Sequence, residues 1–168
     1  MENLAVKILI GVITAAISSL ITVRLSLARF RTEKWWERKI EAYSKIVEAF
    51  HHSKSFYDKH LSAEMQGKEL PEETDMEVKA LSREAQREID KYTDIGSFIF
   101  ADDFYRKLKE YQKESDKVLS NNRGWTEYLI KHQELTERYM DALIVLARKD
   151  LRSKRKLKHE KGKGGWCF

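Results

Sequence analysis

The sequence predicts an all-α protein in which an amino-terminal transmembrane helix precedes an antiparallel, up-down-up-down four-helix bundle. Three observations predict it. An uncharged apolar run fills Ile8 to Val23, the 168 residues hold one proline and seven glycines, and apolar side chains recur at spacings of three and four along four later stretches. Scarce breakers disfavour a sheet protein, because tight hairpins need the glycine, proline and asparagine that set their turn angles. A composition 42% hydrophobic and 35% charged can build a core, which excludes global disorder and low-complexity architectures. The one cysteine, Cys167, has no internal disulfide partner and excludes a zinc finger. A chain of 168 residues suits one ordinary domain, or a small domain plus a membrane segment, rather than a two-domain enzyme.

The first element is the membrane helix, expected over residues 1–27. No charge lies between Lys7 and Arg24. Extended from Leu4 to Leu27, the run has about 20 or more residues, enough at a rise of about 1.5 Å each to cross roughly 30 Å of hydrocarbon, with Lys7 and Arg24 snorkelling at its ends. Small residues at Ala15, Ala16, Ser18 and Ser19 give the run some likeness to a signal peptide. The apolar stretch continues past them, however, and the strong positive charge follows the run instead of preceding it, which favours an uncleaved anchor. Arg24, Arg29, Arg31, Lys34, Arg38 and Lys39 follow the helix, whereas only Lys7 and the amino terminus precede it. The positive-inside rule therefore expects the amino terminus outside and the carboxyl-terminal body in the cytosol. Gly11, Ala15, Ser18 or Ser19, and Thr22 share one helix face, a spacing of small residues that would let two such helices approach closely. Small residues are also common in membrane spans that do not associate.

The second element, the bundle, is expected over residues 28–151. Trp36, Ile40, Tyr43, Val47, Phe50, Tyr57 and Leu61 form a helical stripe with Lys54 as its charged member, ending near Gln66. Gly67 to Asp75, with Pro71 and four acidic residues, is expected as a solvated turn. Val78, Leu81, Ala85, Ile89, Tyr92 and Ile95 mark a shorter helix that stops near Gly96 and Ser97. Asp102 or Asp103 would cap a third helix carrying Phe104, Leu108, Tyr111, Val118 and Leu119, and Ser120 to Gly124 turns the chain. The last helix places Trp125, Leu129, Tyr139, Leu143, Leu146 and Asp150 or Leu151 inward. Short connections make sequential helices antiparallel neighbours, so the fourth returns toward the membrane. The first bundle helix, about 38 residues, would span about 55 Å and the second, about 19 residues, only about 28 Å. Phe98-Ile99-Phe100 is therefore expected to cover the core rather than to dip into lipid.

Charge placement agrees with that topology. Residues 24–39 carry six basic side chains against Glu33 and Glu37, and residues 148–163 carry nine against Asp150 and Glu160. The net charge of +5 is thus concentrated in two segments that the bundle would bring to one end, beside an anionic leaflet. Arg24, Arg29, Arg31, Arg152, Lys154, Arg155, Lys156, Lys158, Lys161 and Lys163 are the expected membrane-surface residues, with Trp166 and Phe168 seated at headgroup level. Residues 152–168 are expected as a basic, flexible tail. No lipidation box is present, since Cys167 is penultimate.

Candidate chemistry is sparse. Glu48-x-x-His51 has the spacing used in di-metal carboxylate bundles, yet no second copy occurs, so a solvated histidine is the default. His51 and His52 point to different helix faces and cannot ligate together. Arg152 and His159 match the spacing of a helical ribonuclease motif, but a lysine-rich run generates such matches by chance. His132 is placed on the inner side of the last helix and expected to be a hydrogen-bonded core histidine. With no nucleophile elbow and no phosphate-binding glycine loop, no catalytic, cofactor-binding or metal-ligating residue is assigned, and the chain reads as a non-enzyme. Nucleic acid is disfavoured as a partner, despite a pI of about 9.2, because the basic run lacks interleaved aromatics and the membrane offers a nearer polyanion.

The stretch Trp35-Trp36-Glu37-Arg38-Lys39-Ile40-Glu41-Ala42-Tyr43, followed by Asp94-Ile95-Gly96-Ser97-Phe98 and Arg148-Lys149-Asp150-Leu151, resembles a group of short bacterial single-pass membrane proteins of no known activity. The resemblance covers roughly residues 30–151. It implies a membrane-anchored helical domain in a bacterial inner membrane and transfers no functional residue. Trp36 is expected to pack against Leu151 or Leu157, and Trp35 to rest at the interface or on a partner. The functional expectation is a scaffold, adaptor or regulatory module at the cytoplasmic face of the inner membrane, with anionic lipid, a second copy of itself and an unidentified protein as partners. The alternative is a membrane effector or sensor, as in phage defence or a stress response, with a helical nuclease behind it.

Overall fold

The computed structural model describes the backbone of residues 2–121 and 124–161, and within them the side chains of residues 6–120 and 124–152. All regular structure among the described residues is helical: α1 (Glu2–Met65), α2 (Glu72–Ile95), a short 3₁₀ turn (Gly96–Phe98), α3 (Asp102–Asn121) and α4 (Trp125–Lys161). The apolar run and the first amphipathic stretch are one helix of 64 residues. No glycine or proline stands between Gly11 and Gly67, so nothing in the backbone interrupts it. By internal contacts the chain divides into two compact units, residues 1–39 and 40–168, a division twelve residues beyond the expected one at residue 27.

α1 ends where Gly67 adopts φ 61°. The Lys68 N–H donates to the Ala63 carbonyl at 3.0 Å and the Gly67 N–H to the Glu64 carbonyl at 3.1 Å, the two bonds of a Schellman cap. A left-handed residue is needed there, and glycine alone adopts it without a Cβ clash. The expected turn is shorter than its sequence suggested, because α2 starts immediately after Pro71. Glu72, Glu73 and Asp75 form its first turn, where carboxylates oppose the helix dipole. α3 likewise begins on Asp102, with Asp103 beside it in the first turn.

α2 ends at Gly96, as expected, without a left-handed residue. The Gly96 φ is −64°, an ordinary right-handed value. A Cβ built there would lie 2.8 Å from Phe100 Cδ2 and 3.2 Å from Tyr105 Cδ2, so the glycine makes room for the Phe100 ring. Phe100 is 5% exposed, whereas Phe98 is 81% exposed. Of the apolar run at this corner, Phe100 covers the core, Ile99 packs partly against it and Phe98 faces outward.

The core of the second unit is built from Tyr43, Ile46 and Phe50 of α1, Ile89 and Tyr92 of α2, Phe104, Leu108 and Tyr111 of α3, and Leu135, Tyr139 and Leu143 of α4. Ala42 and Ala49 widen the buried face of α1 around Ile46 beyond the expected stripe. Ile40, Ile95, Leu119 and Trp125, expected inward, are exposed. Ile95 and Trp125 are terminal residues of their helices and Leu119 lies in the last turn of α3. Polar side chains tie the elements together in a consistent register. Tyr43 bonds to Asp150, Lys54 to Glu137, Gln133 to Asp58 and Thr126 to Glu64, so numbers on α1 rise as those on α4 fall. Between α3 and α4, Asp103 pairs with Lys149 and Glu114 with Arg138, again in opposed directions. The helical backbone of α4 continues to Lys161, so the expected tail boundary at residue 152 is not a break in the helix.

Candidate functional site

One described helix, α1, is long and apolar enough to cross a membrane, and none of its apolar window is buried against the rest of the protein. Ile8, Leu9, Ile10, Val12, Ile13, Ile17, Leu20, Ile21 and Val23 are all exposed. So continuous an apolar surface is far larger than a solvated helix tolerates. Two hydroxyls within it bond to the helix's own backbone: Thr14 Oγ1 donates to the Ile10 carbonyl and Thr22 Oγ1 to the Ser18 carbonyl, each at 2.8 Å. Gly11, Ala15, Ser18, Ser19 and Thr22 are exposed, and a Cβ at Gly11 would meet nothing within 4 Å. That face is therefore open to another helix.

The basic flank begins at once. Arg24, Arg29 and Arg31 are exposed. Arg29 Nε lies 3.1 Å from Glu33 Oε1 and Lys34 Nζ 2.6 Å from Glu37 Oε2, pairs so exposed that each contributes little to stability. Arg152 is exposed on α4. Lys154, Arg155, Lys156, Lys158 and Lys161 fall on the helical backbone of α4 without described side chains, and Lys163, Trp166 and Phe168 lie outside the described residues. The packing of Trp36 against Leu157 also lies outside them. Trp35 is 46% exposed.

At one end of the second unit, Tyr43 joins three elements. Its hydroxyl donates to Asp150 Oδ2 at 2.8 Å and accepts from the Ala101 N–H at 3.3 Å. Its ring meets Phe104 edge-on at 4.7 Å and Phe100 at 4.9 Å. Burial, reinforced by the Asp150 carboxylate, holds the phenol far above its usual proton affinity, so it remains a neutral donor.

At the other end is a cluster that the sequence reading missed. Phe56, Tyr57 and His60 of α1 face Trp125, Tyr128 and His132 of α4. The Tyr57 ring stacks on His132 at 5.2 Å and 15°, Tyr128 lies 4.4 Å from His132, and Trp125 stacks on Tyr128 at 5.4 Å and 13°. His60 is 4.3 Å from Phe56 and its Nε2 is 3.4 Å from Asp75 Oδ1 on α2. Tyr128 and His132 are four apart, as are Phe56 and His60, so helical spacing alone contained the signal.

His132 contradicts the expectation of a hydrogen-bonded core histidine. It is 1% exposed, and among the described residues neither Nδ1 nor Nε2 has a hydrogen-bond partner. Burial pushes its pKa down to about 4. A histidine whose pKa is depressed on folding contributes stability that is complete above its unfolded value of about 6.5 and is lost as the pH falls toward the folded value. The difference amounts to about 3 kcal/mol across that window. Burial also lowers the pKa of His60, in opposition to the Asp75 carboxylate.

The remaining candidates do not assemble. Glu48 and His51 are exposed, and it is His52 whose Nε2 approaches Glu48, at 3.9 Å. Among the described residues no group of three or more histidine, cysteine, aspartate or glutamate side chains is placed to hold a metal ion. Compared with family models, with curated proteins and with solved structures, the chain matches none.

Proposed function

We propose that the protein is a single-pass inner-membrane protein, amino terminus outside, whose cytosolic domain is an up-down-up-down four-helix bundle serving as a scaffold, adaptor or regulatory module. One observation carries this reading: a single helix begins as an uncharged, wholly exposed apolar rod and continues, past a basic flank, into a packed core. The opposed registers of α1 with α4 and of α3 with α4 support the bundle topology. The exposed Arg148, Lys149 and Arg152 of α4 support a basic surface for anionic lipid. The exposed face containing Gly11 and Ala15 supports a homo-oligomer.

A lipid-binding measurement tests the basic surface separately from the anchor. Residues 28–168 should sediment with vesicles containing anionic lipid and not with neutral ones, binding should weaken as salt rises, and truncation after Leu151 should abolish it. Equal binding to both vesicle types, or none to either, would remove the lipid surface from the account.

A further inference from the structure

We propose that His132 is an acid-sensitive latch: protonation of the imidazole buried between Tyr57 and Tyr128 forces the amino-terminal end of α4 away from α1. The inference goes beyond the membrane reading and stands independently of it. It rests on an unusual combination in one core position, a titratable ring that is 1% exposed, stacked on aromatic faces, and without a hydrogen-bond partner for either nitrogen among the described residues.

The neutral ring fits this environment as an aromatic would. The imidazolium does not. It must place two N–H donors and a full charge where no acceptor stands, and an unpaired buried charge is among the costliest arrangements in a protein. The groups around it offer no remedy. From α1 comes Tyr57, whose hydroxyl stays protonated because burial raises its pKa far above the usual value. Asp58 of α1 is engaged by Gln133, and Lys54 by Glu137. From α3, Tyr111 is likewise kept neutral by burial and contacts Thr136, while Glu114 is held by Arg138. From α2, Asp90 accepts from Gln112 and acts on Tyr111 instead of on the imidazole. On α4 itself Tyr128 is the ring in contact, and Glu127 is paired with Lys131. None of these charges offsets the burial of His132.

The way out is short. His132 lies in the second turn of α4, and the turns before it are tied to α1 by the exposed Thr126–Glu64 bond and by the aromatic contacts of Trp125 and Tyr128. Lifting those turns hydrates the imidazolium while the Tyr43–Phe104 end of the core stays closed. His60, one turn beyond Tyr57 on α1, is also held below its usual proton affinity by burial, but the Asp75 carboxylate 3.4 Å from its Nε2 opposes that shift. An acceptor thus stands beside His60 and none beside His132.

Hydrogen exchange on the full-length protein in lipid nanodiscs tests this, with rates corrected for the intrinsic pH dependence of exchange. With a closed-state pKa of about 4 and an open-state value of about 6.5, local opening across residues 125–135 should rise about 30-fold between pH 7.5 and 5. Residues 104–111 should show no such rise. His132→Phe should remove the response, and if that variant fails to fold, His132→Gln provides the non-titrating comparison. His60→Gln should retain it. An unchanged response in both His132 variants, loss of the response in His60→Gln, or no response in the parent protein would overturn the proposal.

Discussion

Phe104→Ala is expected to destabilise the packed domain by about 3–5 kcal/mol, the range for removing a fully buried aromatic side chain. Phe104 is 0% exposed and meets Tyr43 at 4.7 Å and Phe100 at 4.6 Å, at the junction of α1, α3 and the corner leading out of α2. Deleting the ring loses its transfer free energy and leaves a cavity lined by two aromatic faces that cannot collapse, because the Tyr43 hydroxyl is fixed by Asp150 and Ala101. Small domains are stable by only about 5–15 kcal/mol, so this one change removes a large part of the margin. Thermal unfolding followed by circular dichroism should show a strongly lowered midpoint for Phe104→Ala. Phe98→Ala, at a site 81% exposed, should stay within about 0.5 kcal/mol of the parent protein. Equal effects at the two positions would contradict the core described above.

The second large effect concerns the apolar rod. Replacing both Ile13 and Ile17 by lysine should release the protein from membranes, since each lysine near the middle of a spanning helix costs roughly 2.5–3.5 kcal/mol of insertion free energy. Both isoleucines are about half exposed and contribute nothing to the domain core. The double variant should therefore keep its thermal unfolding profile while moving from the membrane pellet to the alkaline wash. Retention in the pellet would mean that something other than this helix holds the protein to the bilayer.

The helical class and the apolar span were legible because both are written in local periodicity and composition. One proline and a long stretch free of breakers left few alternatives to helix, and the uncharged run stood out from the charged remainder. Register was less legible. A stripe stepping through residues 40, 43, 47 and 50 omits Ile46, which is 0% exposed and lies at the centre of the buried face of α1. Two small neighbours, Ala42 and Ala49, widened that face without adding hydrophobic weight to the pattern. Ile40, Ile95, Leu119 and Trp125 fit the periodicity but are exposed, because periodicity says nothing about how far a neighbouring helix extends. Gly96 was readable as a stop, yet its reason is steric and depends on Phe100 folding back onto it. The tie from Tyr43 to Asp150, 107 residues apart, had no local signature at all. The His132 cluster had one in the spacing of four from Tyr128, but the missing hydrogen-bond partners could be seen only once α1 was in place.

The proposed placement of the helical domain on the cytosolic side of an inner membrane is tested through the single cysteine. Cys167 in intact cells is treated with a membrane-impermeant maleimide, and the labelling is repeated after permeabilisation. Labelling is expected only after permeabilisation. Labelling of intact cells would contradict it, placing the carboxyl-terminal domain outside the cytoplasm and reversing the orientation inferred from Arg24, Arg29, Arg31 and their basic neighbours.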